Sequence, residues 1–285
     1  MRHALAPAAL ILALHLPPVW AQADRDPYSG APLPPRRHEA PSPVTDHFYI
    51  RGTYYVPQVR TNLRVDPSRP PGAQGTWVNG ENVLGLDERL HRGRVEFMFR
   101  LRERGKVRVD YFESDRSGGR TLANDIVFGN QTFAAGQLTS SSLDFRQFDV
   151  TYTYSFLHTP YLEIGTGLGL YFVQVDAIGE VPLRNQRQEV TAATPLPALP
   201  VDFAWRLSSR WAVTVHDAYL KATLNGLHGW YADSHEDLQY RVNPYFALGL
   251  GHSAIRTHLT RRGGSFPGVF AMSISGPEAF FRFSY

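Results

Sequence analysis

Two short acidic patterns carry the side chains best suited to catalysis. Asp233-Ser234-His235 sets a carboxylate and an imidazole two positions apart, so in an extended strand both project from one face. Glu113-Ser114-Asp115 offers two carboxylates at the same spacing. If the two segments met, the acids and the imidazole could deprotonate a water for attack on a peptide bond. Three-residue patterns of this kind also recur by chance in polar segments, so they name a candidate and not an enzyme.

The other reactive pairs fail on geometry. His252-Ser253, His158-Thr159 and His216-Asp217 are adjacent in sequence, and neighbouring side chains of a strand point to opposite faces, which is wrong for a nucleophile and its base. No Gly-x-Ser-x-Gly, His-Glu-x-x-His or phosphate-loop motif occurs. The histidines lack ligand spacing and there is no cysteine, so neither a metal site nor a cofactor is expected. The lack of cysteine also excludes a lipid anchor through an N-terminal Cys.

The elements that would position these groups are strands. From His47 onward, segments of apolar and polar residues in alternation recur. In Arg94–Arg102, Val95, Phe97, Phe99 and Leu101 project to one side, and Arg94, Glu96, Arg100 and Arg102 to the other. Val107, Val109 and Tyr111 oppose Arg108 and Asp110; Phe148 to Phe156 oppose Asp149 to Ser155. Leu162, Ile164, Leu168 and Leu170 oppose Glu163 and three glycines; Val201, Phe203 and Trp205 oppose Asp202 and Arg206. Lipid outside and a polar lumen inside account for this pattern. With 17 Phe, 14 Tyr and 5 Trp, aromatics are abundant enough to furnish interfacial girdles. No later segment approaches 18 consecutive apolar residues, which excludes a helical membrane protein. The net charge of +3 is too small and too evenly mixed to argue for nucleic acid.

Four connections are short: Glu103-Arg104-Gly105, His158-Thr159-Pro160, Ser208-Ser209-Arg210 and Asn243-Pro244. Long polar stretches lie near 58–90, 116–141, 177–197, 221–236 and 259–268. Short turns alternating with long loops predict an all-β, transmembrane antiparallel up-and-down β-barrel with periplasmic turns and extracellular loops. The count gives ten strands, with eight or twelve open if the loops hide or lack a hairpin. Residues 1–23 read as a signal peptide: Arg2 and His3, then an apolar run from Ala4 to Leu16, then Ala21-Gln22-Ala23 for cleavage. Its apolar run of about 13 residues is too short to span a bilayer as a helix. Residues 24–46, rich in proline, are expected to be a flexible periplasmic tail, leaving 47–285 as the barrel.

Phe281-Arg282-Phe283-Ser284-Tyr285 places aromatics at every second position to the end of the sequence. With this ending, Gly276-Pro277 ahead of it, and the loop segment Phe128-Gly129-Asn130-Gln131-Thr132-Phe133, residues 47–285 resemble the small OmpA/OmpW-like outer-membrane β-barrel proteins. The resemblance implies that Phe281, Phe283 and Tyr285 form the signal read by the barrel-assembly machinery, and that the protein sits, as a monomer, in the outer membrane of a Gram-negative bacterium. A terminal Tyr in place of the usual Phe is a mild departure. The apolar parity changes near Gly276, from Phe270, Met272 and Ile274 to Ala279, Phe281 and Phe283, which predicts a bulge.

The inner face then collects Arg94, Glu96, Arg100, Arg102, Arg108, Asp110, Asp149, Glu163, Asp202, Arg206, Arg241 and Arg282. Charges confined in a narrow lumen must pair or stay hydrated. The leading expectation is a non-enzymatic barrel with a structural or surface-interaction role and a charge-plugged lumen. The alternative is a small-solute or ion pore with weak anion preference from the arginine excess. A lesser alternative is an omptin-like surface peptidase using Asp233 and His235 at the extracellular rim, although the surrounding sequence does not resemble that family. Expected partners are outer-membrane lipids and lipopolysaccharide, whose phosphates Arg60, Arg64, Arg69, Arg261 and Arg262 could meet.

Overall fold

The computed structural model describes residues 42–70, 72–181, 186–224, 226–263 and 267–285. The expected signal peptide and the tail up to residue 41 lie outside the described residues. The elements are β1 (Phe48–Tyr55), β2 (Gln58–Val65), β3 (Val78–Asn79), α1 (Gly80–Leu84), β4 (Arg92–Leu101), β5 (Gly105–Thr121), β6 (Ile126–Phe128), β7 (Gln131–Phe133), β8 (Leu138–His158), β9 (Leu162–Val181), β10 (Gln186–Arg206), β11 (Trp211–Leu224), β12 (Leu227–Asn243), β13 (Phe246–Arg261) and β14 (Gly268–Ser284). Each barrel strand pairs antiparallel with its neighbours, and β14 returns to β1 and β2 to close the ring. β1 and β2 are successive halves of one stave, so the barrel has ten strands. The four short turns fall where the sequence places them, to within a residue or two.

Proline explains the broken stave. Pro57 cannot donate to a ladder, and β1 and β2 pair with β14 on either side of Val56-Pro57. Gly276 faces the break: a Cβ there would lie 2.4 Å from the Val56 carbonyl oxygen. This crossing point tolerates no side chain.

Two of the five long polar stretches are mostly strand, which revises the loop assignment there. β9 and β10 carry strand through most of 177–197, and β11 and β12 through most of 221–236. A strand rises about 3.3 Å per residue and tilts about 40°, so a belt about 25 Å tall takes roughly ten residues of each strand. β8 and β9 have 21 and 20 residues, and their upper halves continue beyond the belt.

The polarity of the two faces inverts where the belt ends. Tyr111, Phe148 and Phe172 are register partners across β5, β8 and β9, exposed on the outer face. Two residues further up, the outward row is Glu113, Arg146 and Gln174; the next is Asp115, Asp144 and Asp176. Over the same stretch the inward residues turn apolar: Phe112, Leu143, Phe145, Val173 and Val175 are buried. The lower storey is greasy outside and polar inside; the upper storey is the reverse, as in a water-soluble barrel.

The same inversion removes the expected bulge at Gly276. β14 keeps one register with β13 from Gly268 to Phe283. Met272 and Ile274 face inward into the upper core, whereas Phe281 and Phe283 face outward in the belt. Side-chain direction never changes along this strand; only the medium does.

β4 stops at Arg92, and segment 78–91 occupies the upper wall between β2 and β5. Asn79 caps α1 by accepting from Asn82 N at 2.8 Å, and Gly85 ends it in the left-handed region at φ 71°. Leu86 and Leu90 then enter the core with Phe112, Phe145, Tyr171, Ile255 and Ile274. Above them the β6–β7 hairpin, with Gly129-Asn130 at its tip, packs Ile126, Phe128 and Phe133 against Leu63, Val65 and Val78.

The inversion predicts opposite tolerances on one strand. Val150→Arg, in the belt, is expected to destabilise the bilayer-inserted barrel by about 2–4 kcal/mol, and Ser142→Arg, outward but above it, by less than about 0.5 kcal/mol. Urea unfolding in lipid vesicles measures both; equal losses would place the belt elsewhere.

Candidate functional site in the barrel lumen

The lower lumen is built by inward positions of alternating strands. Among the described residues it gathers nine carboxylates (Asp46, Glu96, Asp110, Asp149, Glu163, Asp202, Asp233, Asp237, Glu278), seven Arg or Lys side chains (Arg51, Arg94, Arg100, Lys106, Arg108, Arg241, Arg282), and His216 and His235. These groups interlock across the barrel and not only along neighbouring strands. Near the periplasmic end, Arg241 and Arg282 converge on Asp46 Oδ2 at 2.8 and 2.6 Å. Arg100 grips Glu163 with two nitrogens at 2.7 and 3.0 Å, a fork geometry that only a guanidinium offers. Lys106 bridges Glu163 and Asp202 at 3.4 and 3.2 Å.

Midway up, Arg108 joins Glu96 at 3.0 Å and Asp202 at 2.8 Å, and His216 Nδ1 lies 2.5 Å from the same Asp202 oxygen. Arg51 holds Asp237 and Glu278, with its guanidinium 3.8 Å over the Phe280 ring. Highest in this storey, Arg94 pairs with Asp110 at 2.7 Å and Asp233 at 3.2 Å. Gln147 donates to Asp149 and Asp233, both at 3.1 Å, and accepts from the Tyr231 hydroxyl at 2.5 Å. Tyr231 belongs to the apolar core above, so the two storeys meet at this residue. A cavity of about 40 Å³ among Arg51, Glu96, Arg108, Asp202, His216 and His235 is water-sized.

Of the sequence-derived inner-face residues, Arg94, Glu96, Arg100, Asp110, Asp149, Glu163, Asp202, Arg241 and Arg282 are buried in the lumen, and Arg108 nearly so. Arg102 is not: it sits exposed in the β4–β5 turn at φ 58°. Arg206 lies at the β10–β11 turn, bonded to the Ser208 carbonyl and over the Tyr161 ring. Both are strand-end residues whose alternation ends in a turn. With Asp46, Asp233, Asp237 and Glu278 added, the arginine excess disappears, and with it the basis for an anion preference.

The missed residues had signals. Arg51, Lys106 and Asp237 alternate with Ile50, Val107 and Leu238 in the same phase as the recognised positions. The polar stretch 221–236 reads as an extracellular loop, yet Asp233 and His235 face inward on β12 and are 2% and 4% exposed. Asp46 falls in the stretch that the prolines mark as a flexible tail. Residues 42–46 instead turn into the barrel mouth, where Thr45 and Asp46 N–H both donate to the Ser42 carbonyl at 2.9 Å and Val44 is buried.

The two candidate catalytic patterns do not meet. Asp233 and His235 are 3.2 Å apart inside the lumen, but Glu113 and Asp115 lie on the outer face of β5, where Glu113 accepts from Tyr111 and Arg146. On that outer face, above the belt, Asp144 stands between Asp115 and Asp176. Burial, together with the Asp115, Asp176 and Glu113 charges, pushes its carboxyl above the usual range.

No protein-family model matches the chain, and no curated protein matches it. Solved structures do. The outer membrane protease OmpT of Escherichia coli superposes with a TM-score of 0.54 at 10% identity, covering 86% of this chain and 98% of that one. The autotransporter NalP translocator domain of Neisseria meningitidis (TM-score 0.39, 9% identity, 83% and 88% covered) and Ail of Yersinia pestis (0.33, 7%, 81% and 98%) are more distant. The likeness to OmpT is one of fold: this chain folds as an outer-membrane-type β-barrel. The OmpA/OmpW-like resemblance gains no family-model match.

Two stability outcomes are expected. Glu163→Ala leaves Arg100 and Lys106 buried without their shared acid and should cost about 3–5 kcal/mol in urea unfolding, against roughly zero for Glu180→Gln above the belt. Asp144 behaves oppositely. Its raised folded pKa means that the folded barrel holds this proton more tightly than the unfolded chain, so stability is lost as pH rises through the folded value. Asp144→Asn should therefore be more stable than wild type at neutral pH, with the gap closing in acid; a gap independent of pH would contradict this.

Proposed function

We propose that this chain is a non-enzymatic integral outer-membrane barrel of a Gram-negative bacterium, with a lumen held shut and a role exercised through its surface. The observation that carries this reading is the double filling of the interior. The lower storey is cross-linked by nine carboxylates and their cationic partners, and the upper storey is packed by Leu86 and Leu90 among inward apolar side chains. Either layer alone would impede solutes, and the two in series support a closed barrel over a diffusion channel.

A small-solute pore would need a hydrated path past Arg94, Asp110, Asp233 and the Tyr171–Tyr231 pair, whose rings are 5.2 Å apart. A surface peptidase would need Asp233 and His235 open to a peptide. Asp233 is instead bonded to Arg94 and Gln147, and His235 lies against Asp233 and Glu278, beneath the apolar core. The structural role therefore fits the buried groups, and interaction fits the strands that stand above the belt.

One acid of segment 78–91 joins it to two strands of the wall. Glu81 on α1 takes Arg116 Nη1 at 2.7 Å and the Thr61 N–H at 2.9 Å, with the Arg116 side chain fully buried. Wild-type protein refolded into a planar bilayer should be silent, and Glu81→Ala, which loosens only the upper layer, should stay silent because the charged lower layer still closes the lumen. Steady unit conductance from wild type would instead favour the pore.

A further inference from the structure

The upper wall of the barrel parts along one seam. β10 and β11 share a ladder only from Arg206–Ala212 up to Leu199–Tyr219. Above that row β10 continues to Gln186 on β9, and β11 continues to Leu224 on β12. Two positions further up, the register would set Pro197 opposite Lys221, and proline has no N–H to give. Across the barrel, segment 78–91 fills the place that β4 leaves; among the described residues no such segment pairs with the seam side of β10. Carried upward, the same register would bring Leu224, the last residue of β11, level with residue 194. Gln186–Ala193 therefore stands above the end of β11, as the free edge of the tall wall β5–β8–β9–β10.

A free edge is a template for another strand, and this one has a defined polarity. The main-chain groups of an antiparallel strand face its two neighbours in alternation. Pro195 and Pro197 keep register with Phe172 and Leu170 of β9, so their nitrogens point away from β9 and toward the seam. By the same alternation the N–H and C=O groups of Arg187, Glu189 and Thr191 point out of the edge. The two prolines blunt the lower part against strand addition, whereas Gln186–Ala193 contains no proline. Arg187 and Glu189 are exposed on the outer face, where Arg187 lies 3.1 Å from Glu189 and 3.9 Å from Glu180. Val190, between them and Thr191, packs inward against the cluster of the β6–β7 hairpin, which supports the strand from behind.

We propose that this edge pairs with the same edge of a second copy of the chain. Antiparallel pairing about Gln188 sets Arg187 opposite Glu189 of the second copy, and Glu189 opposite its Arg187. Both are positions whose main-chain groups face the join. One register thus makes the hydrogen bonds and two ion pairs together, because the charge pattern is its own complement. The twofold axis of such a pair is normal to the sheet. The wall stands upright in the membrane, so this axis lies in the membrane plane and turns the second copy upside down. The second copy therefore belongs to a facing outer membrane, and its strand enters the space above the end of β11. The contact is homophilic, from cell to cell, and many weak joins act together across two surfaces. This rests on the outer-membrane reading and gives its surface role a face and a partner.

The test uses the full mature chain refolded into nanodiscs at one barrel per disc, its insertion first established by altered gel mobility before boiling. Joined discs are counted by analytical ultracentrifugation, and mild oxidation of single-cysteine variants reads the register. Wild type is expected to join discs in pairs as its concentration rises. Arg187→Glu or Glu189→Arg sets like charges opposite one another twice and should weaken pairing about tenfold. The double variant Arg187→Glu/Glu189→Arg should restore it. Because the chain has no cysteine, Gln188→Cys should cross-link to its own copy. Thr191→Cys, about 20 Å from its twin in this register, should not. Inserted wild type that stays as single discs would overturn the proposal. So would single charge variants that pair as well as wild type, a double variant that stays apart, or equal cross-linking at 188 and 191. Wild-type protein that fails to insert would overturn the barrel reading itself.

Discussion

Inside a bilayer every main-chain N–H and C=O must find a partner within the protein, and a closed ring of antiparallel strands meets that demand. The strands here do not stop at the membrane surface, and the same ladder continues into water. Continuity of hydrogen bonding fixes which side chains point in and which point out along the whole strand. The medium outside changes from lipid to water, so residue chemistry on both faces must change with it. Phe148 and Arg146 are both outward on β8, and Asp149 and Phe145 are both inward. The lumen's two layers follow from this constraint: charge where the outside is greasy, grease where the outside is charged.

The lower layer is expensive to assemble and specific once assembled. Buried ion pairs recover their desolvation cost only with good geometry and full pairing, and here pairing is shared: Asp202 serves Lys106, Arg108 and His216, and Asp46 serves Arg241 and Arg282. Partners come from distant strands, so the network sets the barrel's cross-section as well as its register. The upper layer contributes in the ordinary way of a globular core, through apolar burial. Of its closing pieces, segment 78–91 is tied to the wall by the Glu81–Arg116 pair, and the β6–β7 hairpin is bonded to Thr76 through Val127.

Much of the belt was legible because alternation in lipid is unambiguous. Val95, Phe97, Phe99 and Leu101 against Arg94, Glu96 and Arg100 announce a strand and assign its faces. Above the belt the code changes sign. On β12 the outward face is already polar beside the lower lumen: Asp233 and His235 have Ser234 and Glu236 as outward neighbours, so no apolar face marks the segment as strand and it reads as loop. Gly276 is the plainest instance: inward Met272 and outward Phe281 look like a change of phase, although the backbone keeps its register. Asp46 was hidden for a different reason, since a proline-rich run gives no sign of where it re-enters the fold. The two acidic patterns end on opposite faces of the wall because spacing within a strand says nothing about which of two faces another strand presents.

The absence of cysteine makes the inversion directly measurable. Single cysteines placed at Ser142, Leu143, Phe145 and Phe148, in protein inserted into vesicles, can be probed with a membrane-impermeant maleimide added outside. Inversion predicts that S142C, outward in water, labels rapidly. L143C and F145C, inward in the upper core, and F148C, outward in lipid, should react only after unfolding. Rapid labelling of L143C and F145C would mean a water-filled lumen above the belt, and rapid labelling of F148C would mean that lipid does not reach that row.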